Sequence, residues 1–209
     1  MKTYNVKITD TAVIDWESID KAMIDVYLWS DDYKPEAYAQ VVYAATGDEK
    51  EGLYAHLVAC ETNPRAIYHK HNEPVFRDSC LEFFFTMNDA GKPFIGYINI
   101  ESNSDPTTLI GFGKDRYGRT PIVEMGFEPF SVTGKKTDGR WEIFEFVPAD
   151  ALKKIFGITK IDENTHMAAN FYKCGGDHPI QPYGSWAPID SPTPDFHRPE
   201  YFGELKLTK

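Results

Sequence analysis

The chain has 209 residues, and its 22 Lys and Arg against 32 Asp and Glu give a formal net charge of −10. Phosphate-backbone binding depends on clustered Lys and Arg, so this acidic balance without a basic stripe argues against nucleic acid as a partner. No apolar run approaches the roughly 18 residues of a membrane-spanning helix, which argues against a membrane partner.

The N-terminal segment and the cysteines bear on the cellular location of the protein. No apolar stretch that could form the core of a secretory signal follows the N-terminal Met-Lys-Thr-Tyr segment. Cys60, Cys80 and Cys174 are an odd number of thiols at no metal-ligand spacing, so a disulfide framework is not expected. We therefore expect a cytoplasmic protein, with secretion after removal of a signal peptide as the alternative.

Short β-rich segments recur between turn signals along the chain, a spacing typical of an antiparallel sandwich. The predicted strands span residues 37–45, 53–60, 79–87, 94–100, 140–147, 166–172 and 201–207. Hairpin turns are predicted at 88–91, 133–136, 137–139 and 175–177. One short helix is predicted over 148–156, because Pro148 opens a helical pattern and Gly157 closes it. We expect a single all-β domain over residues 1–209, an antiparallel β-sandwich of jelly-roll or immunoglobulin-like type.

A long irregular stretch covers residues 174–199. It is rich in Pro and Gly, yet it carries Tyr183, Trp186, Phe196 and His197. Long ordered loops of this kind are often functional, so it is a candidate part of a binding site. A structural flap over one end of the sandwich is the alternative.

Polar and aromatic residues alternate with core residues on three predicted strands. The two-residue period of a strand places Leu81, Phe83 and Phe85 on one face of the sheet. The opposite face receives residues of three strands: Glu82, Phe84, Tyr97, Asn99, Glu101, Asn103, His166, Asn170 and Tyr172. A sugar ring needs this mixture, because its C–H patches pack on aromatic planes and its hydroxyls require fixed donors and acceptors. The alternative is an ordinary solvated sheet face.

Three groups of segments resemble carbohydrate-binding module family 9, in its stand-alone branch. The first is Asn72-Glu73-Pro74-Val75-Phe76-Arg77-Asp78-Ser79-Cys80-Leu81-Glu82-Phe83-Phe84, and the second is Gly96-Tyr97-Ile98-Asn99-Ile100-Glu101-Ser102-Asn103. The third comprises Asn170-Phe171-Tyr172-Lys173-Cys174-Gly175, Ser185-Trp186-Ala187-Pro188, Asp195-Phe196-His197-Arg198-Pro199 and Phe202-Gly203-Glu204-Leu205. These segments fall in order over residues 70–207.

The resemblance implies non-catalytic binding of an oligosaccharide or polysaccharide chain end between two aromatics, here Phe76 and Trp186, with Glu82 binding hydroxyls. Family members usually have Trp where Phe76 stands, so this chain offers a smaller stacking surface. The family also accommodates structural calcium, but no calcium-loop spacing identifies ligands here. The full set of predicted carbohydrate-binding residues is Phe76, Glu82, Asn99, Glu101, Asn103, Asn170, Tyr172, Trp186 and His197.

Two other functions are compatible with residues of this sequence. Glu82 and Glu101 on adjacent strands could form the carboxyl pair of a glycosidase, although the sequence does not mark either pKa as raised. A haem-binding relative would need axial ligands, for which only Met125 and His197 can be nominated.

Two motif-like segments carry no chemistry that the sequence supports. His69 and His71 share strand spacing without a third ligand, so no metal site is predicted. Residues 111–118 lack the third glycine of a nucleotide-binding loop.

Overall fold

The computed structural model describes residues 2–29, 32–89 and 91–209. Its strands are β1 Thr3–Thr9, β2 Ala22–Met23, β3 Ala37–Ala44, β4 Gly52–Ala59, β5 Cys80–Asn88, β6 Tyr97–Asn103, β7 Thr108–Gly113, β8 Thr120–Pro121, β9 Ser131–Thr137, β10 Arg140–Pro148, β11 His166–Cys174, β12 Gly184–Ser185 and β13 Gly203–Thr208. The helix α1 covers Ala149–Phe156, and 3-10 helices cover Trp16–Ser18, Val75–Arg77, Ile122–Met125 and Pro199–Tyr201. Within the described ranges, no helix has the length and apolar character needed to cross a membrane.

All the strands belong to one hydrogen-bonded series. The order is β8-β7-β6-β5-β11-β13-β1-β3-β4-β10-β9, with β2 added to β3 and β12 added to β11. The prediction of a predominantly β protein with a short helix is confirmed. The finer division into two packed sheets of a sandwich stays a prediction.

The predicted antiparallel pairing does not hold at β1. This strand pairs in parallel with β13, where Val6 faces Leu207, and in parallel with β3, where Ile8 faces Tyr43. Antiparallel neighbours can be joined by tight hairpins, whereas parallel ones need a long crossover. Residues 10–36, which connect β1 to β3, are long enough to provide it.

The sheet curls so that distant strands meet across the core. Ser102 on β6 donates a hydrogen bond to Glu145 on β10 at 3.2 Å, although several strands separate them in the sheet order. The main core is built from apolar residues of most strands and of α1. Leu152 on α1 is fully buried there, as the predicted helical pattern requires.

The seven predicted strands and the helix all overlap observed elements. The turn predicted at 133–136 is wrong, because Gly134 lies inside β9 and faces Ile143 of β10. The turn predicted at 137–139 is confirmed: the hairpin turns at Asp138-Gly139, where Gly139 has a φ of +72° that favours glycine. Of the turn predicted at 88–91, Ala90 lies outside the described residues.

Candidate functional site

The outer face of β5, β6 and β11 is covered rather than exposed. The chain between β11 and β13, residues 175–202, is called the C-terminal connection. Phe84, Tyr97 and Tyr172 form a second buried cluster with Ile189, Phe196 and Phe202 of this connection. A cavity of about 520 Å³ opens beside this cluster. That size suits one small ligand. The alternative of a solvated sheet face is therefore wrong.

Register brings the predicted polar residues to the floor of this cavity. Glu82 on β5 faces Glu101 on β6, and Phe84 faces Asn99. Glu82 is 2% exposed and Glu101 is 4% exposed, and both line the cavity with Asn99. Neighbouring strands thus place two carboxyl groups and an amide side by side.

The amide of Asn99 lies between an arginine and a carboxylate. Arg119 donates to Asn99 Oδ1 through Nε at 2.8 Å and Nη2 at 2.6 Å, and Asn99 Nδ2 donates to Glu101 Oε1 at 2.8 Å. The guanidinium of Arg119 also lies 4.2 Å from the centroid of the Tyr97 ring. Asn99 is therefore fixed in one orientation by groups on both sides.

Burial dominates the electrostatics of the carboxyl pair. Desolvation raises the pKa of Glu101 to about 7, although the hydrogen bond from Asn99 opposes the shift. Desolvation first, and then the charge of Glu101, raise the pKa of Glu82 well above its ordinary value. Loss of water disfavours the ionised form of a carboxyl, and a like charge nearby adds to the effect.

His197 reaches the cavity from the C-terminal connection. Its Nδ1 and the hydroxyl of Tyr97 form a hydrogen bond of 2.7 Å. Burial, followed by the charges of Arg119 and Arg116, lowers the pKa of His197 to about 3. The imidazole is therefore a neutral hydrogen-bonding group at physiological pH.

Phe76 supplies an exposed aromatic surface at the cavity. It lies in the 3-10 helix Val75–Arg77, is 38% exposed and belongs to the cavity lining. The buried carboxylate of Asp78 holds this segment in place: it pairs with Arg65 and accepts from the backbone N–H groups of Ile67 and Tyr68 at 3.0 and 3.1 Å. The Phe76 ring, called the platform, is thus held in place by the buried Asp78, which is its anchor.

The C-terminal connection also attaches to the platform through the backbone. The N–H of Gly176 donates to the carbonyl of Phe76 at 2.9 Å, and that of Asp177 donates to Arg77 at 3.0 Å. The thiol of Cys174 contacts the same Phe76 carbonyl at 3.3 Å. These bonds fix one side of the cavity.

Trp186 does not face the cavity, and its predicted role as the second aromatic platform is wrong. It is 4% exposed within the main core, in edge contact with Tyr4 and 5.6 Å from Phe171 between ring centroids. The cause is register: Ser185 pairs with Tyr172, so the next residue lies beside Phe171, on the core side.

Three other predicted residues serve the structure around the cavity and are absent from its lining. Asn170 is fully buried and makes hydrogen bonds in both directions with the backbone of Ala187, at 2.8 and 3.0 Å. Asn103 donates to Asp78 at 2.9 Å, supporting the anchor of the platform. Tyr172 stacks on Phe196 with ring centroids 4.1 Å apart and donates to its carbonyl. None of them presents a free polar group to the cavity.

Several lining residues were not selected from the sequence as site residues. Tyr183 and Phe196 lie in the irregular stretch at 174–199 and line the cavity, whereas Trp186 of the same stretch does not. Arg116 and Asp195 form an ion pair of 2.9 Å that joins residues 114–119 to the C-terminal connection. The signal for these residues was their loop composition, but only the folded chain shows which of them converge.

The remaining candidates do not assemble a metal or haem site. His71 hydrogen-bonds Thr108 at 2.8 Å, and His69 lies 3.8 Å from a carboxylate oxygen of Asp105. Among the described residues, no group of three or more His, Cys, Asp or Glu side chains is placed to hold a metal ion. Met125 packs against the main core, whereas His197 lines the cavity.

Comparisons with known proteins agree with the geometry. The profile of carbohydrate-binding family 9 matches residues 9–207. A crystal structure from Bacteroides uniformis, of a protein provisionally assigned as carbohydrate-binding, has a TM-score of 0.78 and 26% identity, covering 99% of both chains. No curated protein sequence matches.

A family 9 module from Caldicellulosiruptor kristjanssonii shares the fold at 12% identity. Its complex with glucose has a TM-score of 0.64 and covers 99% of this chain and 96% of the module. Its complex with cellotriose has a TM-score of 0.63 and covers 99% and 93%.

Proposed function

Because the chain belongs to carbohydrate-binding family 9, we propose that it binds the end of an oligosaccharide or polysaccharide without cleaving it. The observation that carries the proposal is the floor of buried Glu82, Asn99 and Glu101 beside the exposed ring of Phe76 in one cavity. The ring packs against the C–H face of a sugar, and the polar floor binds its hydroxyls.

Binding at a chain end is what membership of family 9 implies, since its modules hold the terminal sugar of a chain. The Arg116–Asp195 ion pair lies in the cavity lining and ties residues 114–119 to the C-terminal connection.

Isothermal titration calorimetry with glucose and cellotriose tests the proposal, followed by a panel of other oligosaccharides. Phe76→Ala should weaken binding roughly fivefold to tenfold, since an aromatic contact contributes about 1 kcal/mol. Phe94→Ala is the matched control, because Phe94 is also exposed and does not line the cavity. Failure of every sugar in a broad panel to bind would contradict the proposal.

Glycoside hydrolysis is a second candidate, favoured by the raised pKa values of Glu82 and Glu101. The two carboxyls of a glycosidase flank the scissile bond, whereas these two lie side by side on one floor. We therefore prefer binding without cleavage. Assays for new reducing ends decide: turnover that disappears in Glu82→Gln would establish the hydrolase instead.

The state of the cysteines supports a cytoplasmic location, which we also propose. Cys60, Cys80 and Cys174 are all free thiols, although Cys80 and Cys174 occupy paired positions on the neighbouring strands β5 and β11. Disulfides persist mainly in oxidising compartments. Fractionation of the source cells tests the location, and recovery from the external fraction would contradict it.

A further inference from the structure

Glu82 and Glu101 lie close enough for their carboxyl groups to interact with each other. They are directly opposed on β5 and β6 and are nearly fully buried. The Cβ atoms of such opposed residues lie about 4.5–5.5 Å apart, which brings the two carboxyl groups within reach of each other. Two ionised carboxylates at this separation and burial repel strongly.

The cations near this pair are bound elsewhere. Arg116 pairs with Asp195 at 2.9 Å, and Lys173 lies 3.5 Å from Glu61. Arg119 donates to Asn99 and to three backbone carbonyl oxygens. In the part of the chain that the structure describes, neither carboxyl of the pair has an ion-pair partner.

The other groups around the pair come from every neighbouring element. They are Cys80 on β5, Asn99 on β6, Tyr172 and Cys174 on β11, Arg116 and Arg119 between β7 and β8, and Tyr183, Asp195 and His197 in the C-terminal connection. Asp195 is paired with Arg116, and His197 is uncharged at neutral pH. Arg77 of the 3-10 helix Val75–Arg77 also lines the cavity. The charges of Lys173, Arg116 and Arg119 oppose the rise in the pKa values of the two carboxyls, and burial outweighs them.

One oxygen of the pair is left without a partner. Glu101 Oε1 accepts from Asn99, but Glu101 Oε2 is buried and hydrogen-bonds no described residue. A buried polar atom without a partner is costly, and native proteins rarely retain one without a reason. Because Glu101 lines the cavity, a ligand can provide the missing partner.

We propose that Glu82 and Glu101 keep at least one shared proton at neutral pH, and that this proton makes the site select neutral sugars with free adjacent hydroxyls over sugar acids. The selection rests on the proposed function, whereas the shared proton does not. A protonated carboxyl donates and its ionised neighbour accepts, which matches two adjacent hydroxyls that each do both. A ligand carboxylate would instead add a further negative charge beside the pair.

The proton itself is tested in the free protein. Carbon-13 NMR of labelled glutamate carboxyls, assigned with Glu82→Gln and Glu101→Gln, should show at least one of the two still protonated at about pH 7, well above the ordinary value of about 4.3. Full ionisation of both at about pH 7 would overturn the proposal, whatever the protein binds.

The selection is tested with glucose, cellotriose and glucuronic acid as probes. Affinity for the neutral probes should fall at least about tenfold between about pH 6 and about pH 10, as the last proton leaves and the donor is lost. Glucuronic acid should bind more weakly than glucose throughout. Glu101→Gln, which keeps a neutral donor, should flatten this pH dependence.

Glu145→Gln is the matched control, since Glu145 is another buried carboxyl with a raised pKa but lies on β10, outside the cavity lining. Its pH profile of binding should follow the wild type. Retention of the proton with pH-independent sugar binding, or with preference for glucuronic acid, would overturn the selection. Retention of the proton with no sugar bound at all would overturn the proposed function and leave the shared proton standing.

Discussion

Trp186 and Phe171 share the core side of the sheet, with their ring centroids 5.6 Å apart. Trp186→Ala should therefore lower the free energy of unfolding by about 3–5 kcal/mol, the usual cost of truncating a buried Trp. Affinity for sugar per folded molecule should remain unchanged. Thermal and denaturant melts measure the first effect and calorimetry the second; an intact melting temperature with lost binding would restore Trp186 as a sugar platform.

The close approach of Gly203 to Trp186 gives a second prediction. A Cβ atom at Gly203 would lie 2.4 Å from the Trp186 ring, so Gly203→Ala should destabilise the protein by about 1–3 kcal/mol. The cost should be smaller in a Trp186→Ala background, since the ring is then absent. It should not vanish, because the carbonyl of Lys2 remains 2.9 Å from the same position. A double-mutant cycle measured by urea unfolding checks this, and simple additivity would argue against the contact.

The anchor of the Phe76 platform is expected to be sensitive to charge. Asp78→Asn removes the carboxylate that pairs with Arg65 in a buried setting, which should cost about 3–5 kcal/mol. Asp177→Asn is the matched control, because Asp177 pairs with the same arginine at 3.4 Å and is partly exposed. Its effect should be within about 1 kcal/mol. Equal losses in the two variants would contradict the assigned anchor.

Stability should decline as the pH rises from mildly acidic to mildly alkaline. Burial raises the pKa of Glu101 to about 7 and that of Glu145 to about 8, from 4.5. Between these values and 4.5 the folded protein holds more protons than the unfolded chain, so raising the pH favours unfolding. The lowered pKa of His197 acts in the opposite direction, but only up to its ordinary value of 6.5. We therefore expect a loss of a few kcal/mol between about pH 6.5 and about pH 8.

Urea unfolding at a series of pH values measures this decline. Glu145→Gln should make it shallower, because one of the buried ionisations is removed without changing the size of the side chain. Stability that rises steadily across the same range would show that these carboxyls are ionised without penalty.

The three thiols should differ sharply in reactivity. Cys60 is exposed, whereas Cys80 and Cys174 are buried, and burial raises the pKa of both buried thiols. Since the thiolate is the reactive form, an aromatic disulfide reagent should modify one thiol rapidly in the native protein and all three after denaturation. Cys60→Ser should abolish the rapid phase, and a second rapid thiol in that variant would contradict the burial.

The sequence predicted best where a local rule decides the outcome. The period of two along β5 and β6 placed Glu82, Asn99 and Glu101 on the outer face, and the structure brings them together. The same rule could not place Trp186, since its face depends on how the two-residue strand β12 pairs with β11.

The long-range contacts around the site could not be predicted from the sequence either. Arg119 meets Asn99 only because β7 and β8 return beside β6, and no spacing within residues 111–119 signals that partner. The anchoring of Phe76 by Asp78 likewise depends on Arg65 and Asn103, which come from other segments.

The parallel placement of β1 between β13 and β3 has a consequence for how the chain folds. Thr3 pairs with Glu204, 201 positions away, so the middle of the sheet contains one of the most distant contacts available to the polypeptide. Folding rates fall as contacts become less local, because the entropy of closing a long loop must be lost before the contact forms. On a ribosome, β1 and β3 emerge long before β13. Until β13 arrives, the edge of β1 that faces it is unpaired, and this interval is when the chain is most open to aggregation.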